Sequence, residues 1–302
     1  MDLLYKYAAI DIGSNAVRLL LAGISHQNPD KPPKKISLVR MPIRLGEDVF
    51  VLGHISQDKA ERLEKTLTGF KYLINAFEPM AVMTCATAAM RNAENKDIIC
   101  GNIAEKTGIV IDILDGKQEA GILFRNRQSN LFSDDKASLF VDVGGGSTEM
   151  TLFDQGHIVA SASFNIGTIR LLNNRVSPPL WEEMQQWVKE NTVTHKTIEA
   201  IGSGGNINKL FRLVNGKAGQ PVSYRRIRQI SNRLKSMDVD QRITQFNLRP
   251  DRADVIVPAS EIYLQVMKWS GCKKIHVPMM GLADGMVRIL HEQHTAASET
   301  GN

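Results

Sequence analysis

A chain of 302 residues exceeds the usual size of a single domain and predicts two, of roughly 100–200 residues each. Its 43% apolar and 23% charged residues are those of an ordinary globular protein, which excludes fibrous and low-complexity classes. A net charge of +5 and a pI near 9.0 favour a polyanionic partner. Aromatics, at 6%, do not interleave with the basic clusters at 31–35 and 225–235, so no stacking platform for single-stranded nucleic acid is expected.

In chain order, the opening MDLLYKYAAIDIG lacks the basic region and uninterrupted apolar core of a secretory leader. No stretch reaches the ~18 apolar residues of a membrane span, and a cytoplasmic protein without membrane attachment is expected. Residues 7–21 read as apolar strand, acidic turn and apolar strand. The alternation continues with a strand at 35–41 and a helix at 56–76. That helix carries Ala60, Leu63, Leu67, Phe70, Ile74 and Phe77 on one face behind Ser56 as N-cap. A strand at 80–85, a helix at 94–107, a strand at 109–114 and a helix at 117–128 complete an α/β pattern.

The polar segment 129–136 is the expected boundary between domains spanning 1–129 and 130–302. Residues 139–153 then repeat the opening hairpin pattern 131 positions later, which predicts a duplicated α/β domain. Strands at 138–143, 148–154 and 157–164 are followed by a helix from Gly167, another after Pro178 and Pro179, and a strand at 197–202. Helices dominate 204–270, offering a dimer surface. A strand at 273–278 leads to a final helix at 282–293, placed to pack back on the first domain. Cys85, Cys100 and Cys272 form no C-x-x-C pair, and the histidines show no ligand spacing.

Three loops carry chemistry. An Asp ending a strand before a tight glycine turn brings a carboxylate and backbone N–H groups to one place, suited to a cation and phosphate oxygens together. Asp11-Ile12-Gly13-Ser14-Asn15 does this once. Asp142-Val143-Gly144-Gly145-Gly146-Ser147-Thr148-Glu149 does it again, with two hydroxyls added. Either loop alone reads equally well as an ordinary hairpin turn; the matched pair does not. Gly202-Ser203-Gly204-Gly205-Asn206 follows an apolar strand and opens a helix, an arrangement that presents N–H groups and the helix dipole to a phosphate.

These loops resemble the phosphate motifs of the actin, sugar kinase and heat-shock ATPase superfamily. Within it the chain resembles the exopolyphosphatase/guanosine pentaphosphate phosphohydrolase family. The segments carrying this likeness are AAIDIGSNAVRLLL, MPIRLGEDV, ATAAMRNAEN, LDGKQEAGILF, FVDVGGGSTEMTLF, FNIGTIRL, AIGSGGNINKL, LRPDRADVIVPA and GLADGM. The resemblance implies duplicated actin-like, ribonuclease H-like domains with an interdomain active-site cleft. It implies hydrolysis of a terminal phosphoanhydride of inorganic polyphosphate or, as the alternative, of guanosine pentaphosphate, with magnesium or another divalent cation. An ATP-dependent kinase and a non-catalytic sensor on the same fold are the other classes.

Carried over residue by residue, Glu119 aligns with the family's catalytic glutamate, which orients or deprotonates water. Asp142 and Glu149 align with metal-holding positions, which Asp11 completes or supports. Arg91, Ser14, Asn15 and Arg18 align with phosphate-contacting or site-organising positions, and Gly144, Gly145, Gly146, Ser147, Thr148, Gly202, Ser203, Gly204 and Gly205 supply phosphate-binding groups. Arg44 and Glu47 are expected to form an ion pair that shapes the site, and Arg249, Asp251, Arg252 and Asp254 a structural network. The chain departs from the family where Lys117 and Gln118 replace an acidic run, where Ala259 replaces Gly, and where Ala283 and Asp284 replace Arg-Glu.

Overall fold

The computed structural model describes residues 3–125, 136–155, 157–195 and 197–300. It divides into two compact units, Met1–Arg127 with Gly281–Asn302, and Gln128–Met280. The boundary segment expected at 129–136 lies, apart from Lys136, outside the described residues.

The first unit begins with β1 (Leu4–Ile12), β2 (Val17–Ser25) and β3 (Lys34–Met41), an antiparallel meander. Helices α1 (Leu45–Leu52) and α2 (Gln57–Phe77) lead to β4 (Ala81–Ala86). Then come α3 (Ala88–Asn92), α4 (Lys96–Thr107), β5 (Asp112–Ile113) and α5 (Gly116–Phe124). The sheet order is β3-β2-β1-β4-β5, with β4 parallel to β1 and β5 parallel to β4. Central strand β1 is buried on both faces, which is why it reads as a near-continuous apolar run, with Tyr7, Ala8, Ala9 and Ile10 all sequestered. Helix α2 buries Leu63, Leu67, Phe70 and Ile74 at three- and four-residue spacing, and Ser56 accepts from the Lys59 N–H as its cap.

The second unit repeats the plan. Strands β6 (Ala137–Val143), β7 (Thr148–Asp154) and β8 (His157–Phe164) form the meander. Helices α6 (Thr168–Leu172) and α7 (Pro178–Thr192) precede β9 (Ile198–Ser203), which opens into α8 (Gly205–Leu213). After β10 (Val222–Ser223) come α9 (Tyr224–Lys235), α10 (Val239–Phe246), α11 (Pro250–Ala253), α12 (Ile256–Trp269) and β11 (Lys274–His276). Its order, β8-β7-β6-β9-β11-β10, places β9 parallel to β6 and β11 parallel to β9, so five strands match the first sheet one for one. This is the duplicated actin-like α/β plan.

The last helix, α13 (Leu282–Thr300), belongs to the first unit and packs on β1, β2, β4 and α5. Its close approach to α5 requires Gly285, where an added Cβ would lie 2.1 Å from the Ile122 carbonyl oxygen. Helices α1 and α3 and strand β10 were not expected from the sequence, and β5 and β11 are shorter than predicted. Helix α1 starts behind Arg44, a non-glycine residue at φ 59° with no side-chain cap bond, so the usual start signal is missing. Among the described residues no helix is long and apolar enough to cross a membrane.

Candidate active site

The two hairpins are built to one geometry. In the first, the Gly13 N–H donates to the Ala16 carbonyl (3.2 Å), and Asp11 lies opposite Arg18 in the β1–β2 register. In the second, the Gly144 N–H donates to the Ser147 carbonyl (2.9 Å), and Asp142 lies opposite Glu149 in the β6–β7 register. The equivalent positions thus differ in charge. Arg18 neutralises Asp11 through an ion pair of 2.5 Å, whereas the second hairpin sets two carboxylates face to face, an arrangement that costs free energy in a sheet unless a cation or hydrogen bonds offset it. Hydroxyl groups supply part of the offset: Ser147 and Ser163 donate to Glu149 Oε1 at 2.5 and 3.0 Å.

In the first unit, Asp11, Arg91 and Glu119 collect at the C-terminal ends of the parallel strands β1, β4 and β5, where open α/β sheets bind ligands. Ser14 and Asn15 form the turn, and their carbonyls accept from the Gly46 and Arg44 N–H groups (2.9 and 3.1 Å), which joins the turn to the start of α1. Arg44 also donates to Glu47 at 2.6 Å, the ion pair expected from the sequence. Lys59, which sequence reasoning missed, completes that cluster. It pairs with Asp48 (2.7 Å) and Glu47 (3.2 Å) and donates to the Arg44 carbonyl (2.8 Å), holding the left-handed Arg44 in place. Burial pushes the Asp48 carboxyl up, but hydrogen bonds from Lys59 and Ser56 and the Lys59 charge outweigh it and leave it below its ordinary value.

Glu119 sits in the first turn of α5, only 7% exposed. Arg91 donates to the Leu114 carbonyl (2.6 Å), which sets its guanidinium 3.8 Å from Glu119 Oε2. The Cys85 thiol is pushed up to about 12 by burial and by the charges of Asp112, Asp11 and Glu119, a measure of how carboxylate-rich this end of the sheet is. The departure at Gln118 has a structural reason. Asp115 accepts from the Gln118 N–H and its own N–H donates to Gln118 Oε1, both at 2.8 Å, a reciprocal cap that starts α5 and fixes Glu119 one residue on. The D-x-x-Q spacing was the available signal.

In the second unit the glycine turn is gripped from one side. The Gly144 and Gly145 carbonyls accept from the Thr168 and Ile169 N–H groups (3.0 and 2.8 Å), and the Gly146 carbonyl from Arg170 Nε (2.8 Å). In a planar trans peptide the N–H points opposite to the C=O, so the N–H groups of Gly145, Gly146 and Ser147 are turned together toward the other side. Three such donors in succession make an anion-binding concavity. Gly167 permits the grip, since a Cβ there would lie 2.4 Å from the Gly145 oxygen. Thr148 is fully buried and donates to the Ile166 carbonyl (2.6 Å), so its hydroxyl serves the scaffold.

Gly202, Ser203, Gly204 and Gly205 carry β9 into α8, beside Asp142 at the end of neighbouring β6. Gly204 has φ +95°, and a Cβ there would meet Asp142 Oδ1 at 2.6 Å, so only glycine admits the carboxylate. Arg252 donates to the Gly205 carbonyl, tying the RPDRAD segment to this loop. Tyr263, on α12, was missed because an aromatic on an apolar helix reads as core. Its buried hydroxyl donates to the Ser203 carbonyl (2.5 Å) and accepts from the Val143 N–H (3.3 Å), fastening the two glycine loops together. Burial and the nearby Asp142 charge hold that phenol well above its ordinary pKa, so it stays neutral.

Paired Asp-glycine hairpins on duplicated α/β sheets, with a glycine-opened helix beside one of them, are the arrangement the sequence resemblance implies for a phosphate-handling protein. The chain belongs to the Ppx/GppA phosphatase family, whose model matches residues 25–294. It is 30% identical over 297 residues to the bifunctional 3-dehydroquinate synthase/phosphatase of Fusobacterium nucleatum, covering 87% of this chain but only 43% of that protein's length. It is 26% identical to exopolyphosphatase 2 of Mycobacterium tuberculosis, covering 94% of this chain and 98% of that one. Its fold matches the crystal structure of an exopolyphosphatase from Cytophaga hutchinsonii with a TM-score of 0.83 at 22% identity, over 95% of this chain and 98% of that one.

Proposed function

We propose that the chain is an exopolyphosphatase: water attacks the terminal phosphorus of inorganic polyphosphate and orthophosphate leaves. The observation that carries this reading is Glu119, a buried carboxylate fixed by a helix cap at the sheet's ligand-binding end and set 3.8 Å from Arg91. A kinase has no need of a base for water. Family membership and the near full-length likeness to exopolyphosphatase 2 support the same conclusion.

In this reading Glu119 orients the water and takes its proton, a contribution of about 10²–10⁴ in rate. Arg91, 3.8 Å from Glu119, balances phosphate charge. The Gly145, Gly146 and Ser147 N–H groups, with the loop at 202–205, hold phosphate oxygens without reorganising as charge develops. Asp142 and Glu149 would hold magnesium. The donor set fits that ion, which is bound by one or two carboxylates with water and phosphate oxygens filling its remaining positions. Among the described residues no group of three or more His, Cys, Asp or Glu forms the protein-only cage that other metals favour. When bound, the cation neutralises the phosphate oxygens. Asp11, which pairs with Arg18, completes or supports the metal set in this reading. The reading includes a cytoplasmic location.

Orthophosphate release from polyphosphate and from guanosine pentaphosphate, measured side by side with magnesium, tests this. Higher kcat/KM on polyphosphate is expected. A large preference for the nucleotide would transfer the assignment to guanosine pentaphosphate hydrolysis, and no release from either would refute it.

A further inference from the structure

Between Ala200 and Met237 the chain has eight basic residues and no Asp or Glu. This stretch carries +8 against +5 for the whole chain, so the remaining residues sum to −3. The fold concentrates that charge. The 38 residues form the end of β9, then α8, β10 and α9, and at the C-terminal end of α8 they line an open surface cavity of about 250 Å³. Its polar lining is Arg226, Arg233, Asn215 and Gln229, backed by Leu213 and Ile230, with neither a carboxylate nor an aromatic ring. Among the described residues no carboxylate forms an ion pair with Arg225, Arg226, Arg228 or Arg233, while Lys235 is satisfied by Glu261 at 2.5 Å. Arg226 is anchored by donation to the Val214 carbonyl, and Arg233 lies over the Phe246 ring at 4.8 Å, so both guanidinium groups are positioned.

The cavity is joined to the phosphate loop by one helix. Helix α8 has nine residues, about 13 Å, and starts at Gly205, whose carbonyl is held by Arg252. Lys209 lies midway and donates to the Phe246 and Asn247 carbonyls (3.3 and 3.4 Å), and Arg212 follows toward the cavity. Burial and the charges of Arg252 and Arg212 push Lys209 below its ordinary value, which reports crowding of cations along this helix. Asp251 and Asp254 are the acidic residues nearest the Arg252 end in sequence.

We infer that the Arg226–Arg233 cavity is a second anion site, which holds a distal phosphate of the same polyphosphate chain whose end lies at the glycine loops. Planar guanidinium groups and amides bind tetrahedral oxyanions through paired hydrogen bonds. The absence of aromatic rings from the lining argues against single-stranded nucleic acid, whose bases need stacking partners. This site would make the chain favour long polyphosphates over short ones. It rests on the polyphosphate reading above.

The test is binding without turnover. Long-chain polyphosphate, tripolyphosphate and single-stranded RNA are titrated onto the full chain and onto two double variants at exposed positions with equal charge loss, Arg226→Gln/Arg233→Gln and Arg225→Gln/Arg228→Gln. The cavity pair should weaken long-chain binding roughly five- to tenfold, as expected for two exposed charge contacts, and flatten its salt dependence. Tripolyphosphate binding should be unchanged, and the second pair should have a clearly smaller effect. Equal weakening by both pairs, no weakening, or tighter binding of RNA than of polyphosphate would overturn the inference. Long-chain binding through the cavity with no orthophosphate release would sink the hydrolase reading alone. Parental long-chain kcat/KM in the cavity variant would sink the second site alone.

Discussion

Replacing Tyr263 by Phe removes one oxygen from the middle of the second unit and leaves the ring in place. That oxygen accepts from the Val143 N–H and donates to the Ser203 carbonyl, and the residue is 1% exposed, so water cannot replace either bond. Leaving two buried backbone groups unsatisfied costs about 1–3 kcal/mol, and we take ~2 kcal/mol. For a unit of this size a urea m-value of ~2 kcal/mol/M converts this to a fall of about 1 M in the unfolding midpoint. All three tryptophans, Trp181, Trp187 and Trp269, lie in this unit, so their fluorescence reports its unfolding selectively. Because the lost hydroxyl fastens the Asp142 and Ser203 loops together, KM for polyphosphate should rise as well. An unchanged midpoint with an unchanged slope would show that the hydroxyl bridge contributes nothing, and the account of how the two loops are held would be wrong.

Glu119→Gln should lower turnover by about 10²–10⁴, or roughly 2.7–5.5 kcal/mol in the barrier, with substrate binding retained; initial rates and equilibrium binding on one preparation check both halves. Gly204→Ala should raise the magnesium concentration needed for half-maximal activity, because its Cβ would displace Asp142 and the φ of +95° strains any other residue. An unchanged magnesium titration would remove Asp142 from the metal. Asp48 has a folded pKa below its unfolded one, so its stabilisation is present above about pH 4 and lost as pH falls through the folded value. Hydrogen exchange in α1 and α2 should therefore accelerate below pH 4 in the native chain, and less so in Asp48→Asn.

The hairpins were legible because charge, glycine and β-formers fall at fixed spacing, and the 131-residue offset between them holds residue for residue. What periodicity could not give was contact across distance. Tyr263 and Lys59 act through partners far away or one helix on, and neither has a local signature. Gly167 and Gly285 are required by backbone approaching from other elements, while Gly204 is set by its own φ and by Asp142. Helix α1 escaped because left-handed Arg44 replaces a side-chain cap, and the opposite charges of Arg18 and Glu149 acquired meaning only once register set each across from an aspartate.

The central claim, that water attacks the terminal phosphoryl group with Glu119 as base, is tested most directly by hydrolysis in ¹⁸O-labelled water. The account predicts that the orthophosphate released from polyphosphate carries one labelled oxygen, and that Glu119→Gln slows the appearance of this product without changing its labelling. Orthophosphate without label, or transfer of the phosphoryl group to ADP in place of its release, would contradict it.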